Sequence, residues 1–217
     1  MQIFFIVFYH ELLLFSRHLG KILANFLFFI ISVAIFSLIS QNQDYQVSKA
    51  FYSITIIWFS LLSCLIFSAA EFLKKDFDDG TIEQILNSVE NFETFILAKM
   101  LANWLICSLP ILLCIFPICA AIGINSAMIK KLLIMIFLAS LAINFICNFC
   151  GSLSILGNSA PMIAVIALPL IIPILLISYA GLTSDLSANL NIILGLCVFI
   201  GSISVFATAK IVKIAAE

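Results

Sequence analysis

The residue types that could do chemistry are concentrated in one short acidic segment. Asp76, Asp78 and Asp79 lie within four positions, and clustered carboxylates serve in acid–base catalysis and in binding hard cations. The segment contains no histidine, and Asp78-Asp79-Gly80 is a turn sequence. We therefore interpret this acidic segment as a solvated, helix-breaking surface and expect no catalytic residue and no metal ligand in it.

The cysteines and glycines suggest two further chemistries. Cys147 and Cys150 form a Cys-x-x-Cys motif, which can indicate redox or metal chemistry. Both lie in an apolar run without a basic neighbour that would lower a thiol pKa, so we expect them to pack as small apolar side chains. The eight glycines form no phosphate-binding Gly-x-x-x-x-Gly-Lys-Ser/Thr loop. The chain is therefore predicted not to be an enzyme, and any ATP hydrolysis is expected in a partner subunit.

The composition determines what kind of element positions these residues. Of the 217 residues, 64% are hydrophobic and 10% are charged, and the mean hydropathy is +1.27. Soluble domains average about 45–50% apolar and about 25% charged residues. These values exclude a soluble enzyme and a nucleic-acid-binding protein. They indicate an integral membrane protein, and we expect residues 1–217 to form a single polytopic membrane domain.

Uncharged stretches between the charged residues give the membrane spans. The longest, 132–184, exceeds one span and is divided by the turn signal at residues 157–161. Because unpaired backbone groups are not tolerated in lipid, the spans are expected to be helices. The prediction is an all-α integral membrane protein with six transmembrane helices, near 22–40, 50–70, 100–123, 132–156, 162–180 and 192–209.

The basic residues give the orientation. Six spans place both termini on one side, where seven Lys and Arg residues would lie, against three on the other side. The positive-inside rule then predicts that both termini are cytoplasmic. The first residues are expected to form an N-terminal interfacial amphipathic helix. Its polar arc, about 120° wide at 100° per residue, holds His10, Glu11, Arg17, His18 and Lys21.

The cytoplasmic loop between spans two and three, residues 71–99, contains ten charged residues and is the largest polar surface predicted. Within it Ile82, Ile85, Leu86 and Val89 follow helical spacing, and Thr81 to Gln84 fits a capping box. This predicts a short amphipathic coupling helix near 82–89. Its apolar face has three possible places: on lipid, on the base of the bundle, or in a partner's groove.

Polar residues and prolines mark particular spans. Span four carries a stripe of residues four apart, Ser140, Asn144, Asn148 and Ser152, which is expected to face other helices or a cavity. Spans three and five each contain two prolines, which remove helical hydrogen bonds and predict kinks. The predicted kink sites are Pro110, Pro117, Pro169 and Pro173.

The stretch Glu71-Phe72-Leu73-Lys74-Lys75-Asp76-Phe77-Asp78-Asp79-Gly80-Thr81-Ile82-Glu83-Gln84-Ile85 is similar to a family motif, E-x-L-[FY]-x-x-D-x-x-D-G-x-L-E-Q-L. Supporting matches are Glu11-Leu12 with Arg17-His18, Leu97-Ala98-Lys99 with Trp104, residues 168–173 and residues 206–209. On these residues the chain resembles the haem exporter protein B family. These proteins are the ABC-2-like permeases of the cytochrome c maturation system, and the resemblance covers nearly the whole chain.

The resemblance implies partners and a location in a bacterial or organellar inner membrane. It implies a cytoplasmic ABC ATPase that binds at residues 71–93, further cytochrome c maturation membrane subunits, and a periplasmic haem chaperone. The residues expected to contact the ATPase are Glu71, Asp76, Asp79, Gly80, Glu83 and Gln84. ATP would be held by the ATPase partner and haem handled by the complex. The only histidines, His10 and His18, lie in the N-terminal segment that is placed on the cytoplasmic face, so this chain is not expected to bind haem iron itself. Met128 and the buried cysteines stay open as ligands, but no second ligand accompanies them.

Three functions remain open from the sequence. The chain could be the permease subunit that exports or delivers haem to the periplasm for c-type cytochrome biogenesis. It could instead be a non-transporting scaffold that couples a partner ATPase to release of a haem-loaded chaperone. An unrelated secondary transporter is the third, and it is disfavoured because no charged residue lies at mid-membrane depth in the predicted spans.

Overall fold

The computed structural model describes residues 2–17, 19–40, 46–70, 72–89, 91–157 and 160–216. These residues form α-helices joined by short turns. In chain order the helices are α1 (Gln2–Arg17), α2 (Leu19–Ser40), α3 (Gln46–Ala70), α4 (Lys74–Asp78), α5 (Thr81–Ser88), α6 (Phe92–Ile122), α7 (Ser126–Gly157), α8 (Ala160–Thr183) and α9 (Leu186–Ala216).

Five of these helices, α3, α6, α7, α8 and α9, are long and apolar enough to cross a membrane. The predicted all-helical membrane fold is therefore confirmed at this level. Each of the six predicted spans lies within one helix to within a residue, the first of them within α2, although several of the helices are longer than the spans. In α2 the apolar stretch that can be assessed is Phe26–Ile35, which is shorter than the roughly 20 residues of a span. The sixth span stays a prediction.

Helix α7 lies at the centre of the bundle and packs against α3, α6, α8 and α9. A close approach of two backbones makes its contact with α3 possible. A Cβ atom built on Gly151 would lie 2.2 Å from the backbone oxygen of Ala69, so only glycine fits at this position. The missing side chain at Gly151 therefore sets how closely α3 packs against α7.

The last eight residues of the predicted cytoplasmic loop 71–99 are helical in the structure. Helix α6 begins at Phe92, so residues 92–99 form its first two turns. The physical reason is burial, because Phe92, Phe95 and Ile96 are all in the core. The charged residues Glu93 and Lys99 interrupt the apolar sequence here, so the span that is defined by charge alone begins eight residues after the start of the helix that contains it.

The four prolines lie inside continuous helices, Pro110 and Pro117 in α6 and Pro169 and Pro173 in α8. Proline has no N–H to donate, so each leaves a carbonyl four residues earlier without its helical hydrogen bond. The helices continue through these positions, and the predicted kinks stay a prediction.

Candidate partner interface and the ion cluster behind it

The connection between α4 and α5 is a tight turn built on one glycine. The N–H of Asp79 donates to the Lys75 carbonyl at 3.0 Å, and the N–H of Gly80 donates to the Phe77 carbonyl at 3.1 Å. Gly80 has a φ of 69°, in the left-handed region, where a residue with a Cβ is strained. The turn read from Asp78-Asp79-Gly80 is therefore present, and it requires glycine at its last position.

The predicted capping box at Thr81 to Gln84 is wrong. The N-cap position of α5 is occupied by Gly80, and Thr81 is already the first helical residue. A hydroxyl caps a helix only from the N-cap position, where it can reach the N–H groups two or three residues later. The left-handed glycine moves the helix start one residue earlier than the box requires.

Helix α5 places its apolar face on the bundle and its polar face outward. Ile82 is fully buried, and Ile85 and Leu86 are partly buried against the core. Glu83 and Gln84 are exposed on the other face. Of the three places expected for the apolar face of α5, the structure shows the base of the bundle. A partner that docks on α5 therefore meets its polar side chains.

The residues expected to contact a partner divide into two groups. Asp79, Glu83 and Gln84 are exposed and Gly80 is half-buried, so these four lie together on one surface. Asp76 points inward and forms an ion pair with Lys99. Glu71 lies outside the described residues.

Lys99 is the centre of a buried ion cluster. Its side chain is 7% exposed, and its Nζ lies 2.7 Å from Oε1 of Glu11 on α1. It also forms an ion pair with Asp76 on α4. Three helices that are distant in the sequence, α1, α4 and α6, are therefore joined at one ammonium group.

The electrostatics of this cluster depend on burial. An ammonium taken out of water is costly unless carboxylates compensate it, and removing one partner of a buried pair commonly costs about 3–5 kcal/mol. Lys99 has two such partners, which are 20% and 28% exposed. The three groups sum to one net negative charge, so either carboxylate alone suffices to neutralise the lysine.

A second ion pair joins α6 to α9 at a more exposed position. The Lys213 Nζ donates to Oε1 of Glu93 at 3.1 Å, and the two side chains are 44% and 35% exposed. Pairs with this exposure contribute little to stability, in the range of about 0–1 kcal/mol. The pair nevertheless shows that the last turns of α9 lie beside the first turn of α6.

An uncharged polar network lies deeper between α3, α6 and α7. The four residues of the α7 stripe, Ser140, Asn144, Asn148 and Ser152, are all buried. The amide of Asn103 on α6 donates to Oδ1 of Asn148 at 3.0 Å and accepts from the Ser68 hydroxyl at 2.9 Å. Asn144 donates to the Met100 carbonyl at 3.0 Å. These bonds link the three helices to one another.

Two members of the network carry further detail. The Trp104 Nε1 on α6 donates to the Ser140 hydroxyl at 3.0 Å, which adds a further α6–α7 bond. The Asn148 Nδ2 is buried and finds no acceptor among the residues that the structure describes. The network is therefore built from uncharged donors and acceptors, which lipid-embedded helices use to associate.

Sequence reasoning assigned no site role to Glu11, Lys99 or Asn103. Glu11 and Lys99 are 88 residues apart, and no spacing rule connects positions on separate helices. The available signal was that Glu11, Asp76 and Lys99 each lie in one of the segments that carry the family resemblance. Their meeting in space gives those three segments one physical reason to occur together.

The chain matches a known protein family over almost its whole length. The family model described as CcmB protein matches residues 2–215. The chain belongs to the CcmB protein family. Its α4–α5 surface and its ion cluster are therefore features of a CcmB family member, and the predicted resemblance is confirmed.

Three similar proteins carry the same name. The chain is 25% identical to Heme exporter protein B of Pseudomonas aeruginosa over 85% of this chain and 82% of that protein. It is 25% identical to Heme exporter protein B of Haemophilus influenzae over 100% of both chains. The match to Heme exporter protein B of Escherichia coli K12 is 26% over 52% of this chain and 50% of that protein.

Proposed function

We propose that this chain is the membrane subunit of a haem export system for c-type cytochrome biogenesis, and that it works without an ATPase site of its own. The observation that carries the proposal is the CcmB family match across residues 2–215. The Heme exporter protein B relatives of Pseudomonas aeruginosa and Haemophilus influenzae align along 82% and 100% of their own length, so the correspondence concerns the whole subunit.

The ATPase partner is proposed to bind the polar face of the α4–α5 segment. Exposed Asp79, Glu83 and Gln84 lie on this face, and Gly80 fixes the turn between the two helices. The apolar face of α5 is already covered by the bundle, so recognition rests on charge and hydrogen bonds. Asp76 supports the surface from behind through Lys99.

Six spans are proposed, with α2 as the first. Glu11 and Asp76 both reach Lys99, so the chain leaves this end of the bundle after α1 and has returned to it at α4. Helix α3 supplies one membrane crossing between them. A crossing in the other direction is needed to close the path, and α2 is the helix available for it.

Both termini are proposed to be cytoplasmic. The Lys213–Glu93 pair supports placing the end of α9 on the side where α6 begins, and the seven-to-three distribution of basic residues supports the cytoplasm as that side. Reporter fusions test this topology. Fusions after residues 45 and 185 should report the periplasm and a fusion after residue 85 the cytoplasm, whereas a periplasmic signal at residue 85 would overturn it.

The subunit is proposed not to ligate haem iron, which companion subunits would hold. The chain has two histidines, His10 and His18, and His10 is exposed on α1. The subunit purified alone should show no haem absorption band, and replacing both histidines by Ala should leave cytochrome c maturation largely intact. A stoichiometric haem spectrum from the isolated subunit would contradict this.

One observation favours the alternative of a non-transporting scaffold. The polar side chains between α3, α6 and α7 bond to one another and to the Met100 carbonyl, which uses them for helix association. In that case ATP hydrolysis would drive release of a haem-loaded chaperone, and haem would not pass through this subunit.

Affinity purification from the native membrane tests the shared part of both candidates. The chain should retain a nucleotide-binding subunit and haem-handling proteins. If neither co-purifies under conditions that keep the subunit folded, the assignment to a haem export complex fails and an independent transporter becomes the better account.

A further inference from the structure

We infer that the Asp76–Lys99 ion pair is a releasable latch that holds α4 against α6, and that Glu11 keeps Lys99 neutralised when this latch opens. The inference deepens the proposed function and rests on it, because the event that opens the latch is docking of the partner on the α4–α5 surface. The observation behind it is one buried ammonium group shared by two carboxylates from different helices.

The latch acts on a short stretch between two fixed points. Leu73 and Ile82 are buried in the core and hold the ends of this stretch, residues 74–81. Between them, all five residues of α4 are at least partly exposed. Phe77 packs partly against the core, and the ion pair of Asp76 with Lys99 ties the same short helix to α6.

Two carboxylates make opening of the latch electrostatically possible. With a single carboxylate, release of Asp76 would leave a buried ammonium uncompensated, which is strongly unfavourable. Here Glu11 lies 2.7 Å from Nζ, so Lys99 remains paired when Asp76 leaves. The extra negative charge of the cluster is then carried away by Asp76.

The two carboxylates are not equivalent. Asp76 is the more exposed of the two, at 28% against 20%, and it precedes the exposed Asp78 and Asp79 on the partner surface. Glu11 lies on α1, which packs along α6. A partner surface that presents Lys or Arg side chains to this acidic stretch would compete with Lys99 for Asp76 and not for Glu11.

The shared charge is tested first on the purified subunit. Glu11→Gln and Asp76→Asn should each leave an inserted, folded protein, because one carboxylate still neutralises Lys99. The double variant should lose most of its folded protein, and adding Lys99→Met to it should restore folding by removing the unpaired charge. If the double variant is no worse than the sum of the single ones, the two carboxylates do not share one buried charge and the inference fails.

Release is tested by labelling a cysteine placed on α4. Lys74→Cys, at an exposed position, is reacted with a membrane-impermeant maleimide in inverted vesicles, with the parent chain as the background for native cysteines. Asp76→Asn should label several-fold faster than the parent, and Glu11→Gln should label like the parent. Equal rates in the two variants would show a purely structural cluster and would overturn the latch.

The partner enters only in the last arm. When the ATPase binds, labelling of Lys74→Cys should change in the parent background, and Asp76→Asn should show no further change at α4 itself. Glu11→Gln should respond less than the parent, because release of Asp76 would there leave the Lys99 ammonium unpaired. If no ATPase binds the parent chain, the proposed function fails, while the difference between Asp76→Asn and Glu11→Gln in the isolated subunit still decides the latch. If the ATPase binds and the parent background does not respond, the latch is not what docking opens.

Discussion

The ion cluster at Lys99 and the amide network around Asn103 lie on the same helix, one turn apart, and solve different problems. The ion cluster joins α6 to α1 and α4, which are peripheral elements. The amide network joins α6 to α3 and α7, which form the interior of the bundle. Charged groups can exchange partners with a docking protein, whereas an interior amide has only its neighbours. The difference indicates that the contacts of α6 around Lys99 can rearrange when a partner docks, whereas its contacts around Asn103 hold the bundle together permanently.

The sharpest way to break the comparison is to remove the central charge. Lys99→Met leaves Glu11 and Asp76 facing each other without a cation, and should lower the free energy of unfolding by about 3 kcal/mol or more. The matched control is Lys213→Met, since the Lys213–Glu93 pair is far more exposed and its loss should cost less than about 1 kcal/mol. Unfolding in mixed micelles measures both, and equal losses would show that burial of Lys99 does not matter.

In the interior of the bundle, an added side-chain atom at a close helix contact should lower stability more than the loss of a hydrogen bond. Gly151→Ala places a Cβ against the Ala69 backbone oxygen, and forcing α3 away from α7 should cost roughly 1–3 kcal/mol. Gly195→Ala is the control, because a Cβ there meets nothing within 4 Å. The midpoint of thermal unfolding should fall for Gly151→Ala and stay unchanged for Gly195→Ala. A tolerated Gly151→Ala would mean that the two helices are not in close contact.

The hydrogen bonds of the interior should have a smaller effect. Asn103→Leu removes the bonds to Ser68 and Asn148, and interhelical bonds of this kind contribute about 0.6–2 kcal/mol in membranes. Ser202→Ala is the comparison, because the Ser202 hydroxyl bonds to the Val198 carbonyl on its own helix. If the two variants are equally stable, the hydrogen bonds of Asn103 do not contribute to holding α3, α6 and α7 together.

The elements were readable from the sequence because each depends on local patterns. Uncharged runs locate the helices, Asp78-Asp79-Gly80 predicts the turn, and the four-residue spacing of Asn144 and Asn148 gives one helix face. The start of α6 and the partner of Lys99 were not readable. Both depend on contacts that a local pattern does not show: Phe92 packs in the core, and Lys99 pairs with Glu11 on another helix. In the sequence, the charge of Lys99 marks the end of an uncharged stretch and so was taken as the end of a span. The N-cap of α5 was missed because Gly80 in the left-handed region takes the position that the capping-box pattern assigns to Thr81.

The central claim is that the polar face of the α4–α5 segment binds the partner ATPase, and one pair of variants tests it directly. Glu83→Lys reverses an exposed charge on that face, and Asp185→Lys reverses an exposed charge in the turn between α8 and α9, on the side proposed to be periplasmic. Each chain is purified from membranes that also contain the ATPase, and the amount retained is compared at equal levels of inserted subunit. The account predicts that Glu83→Lys loses most of the ATPase and that Asp185→Lys retains it. Undiminished retention by Glu83→Lys would contradict the claim.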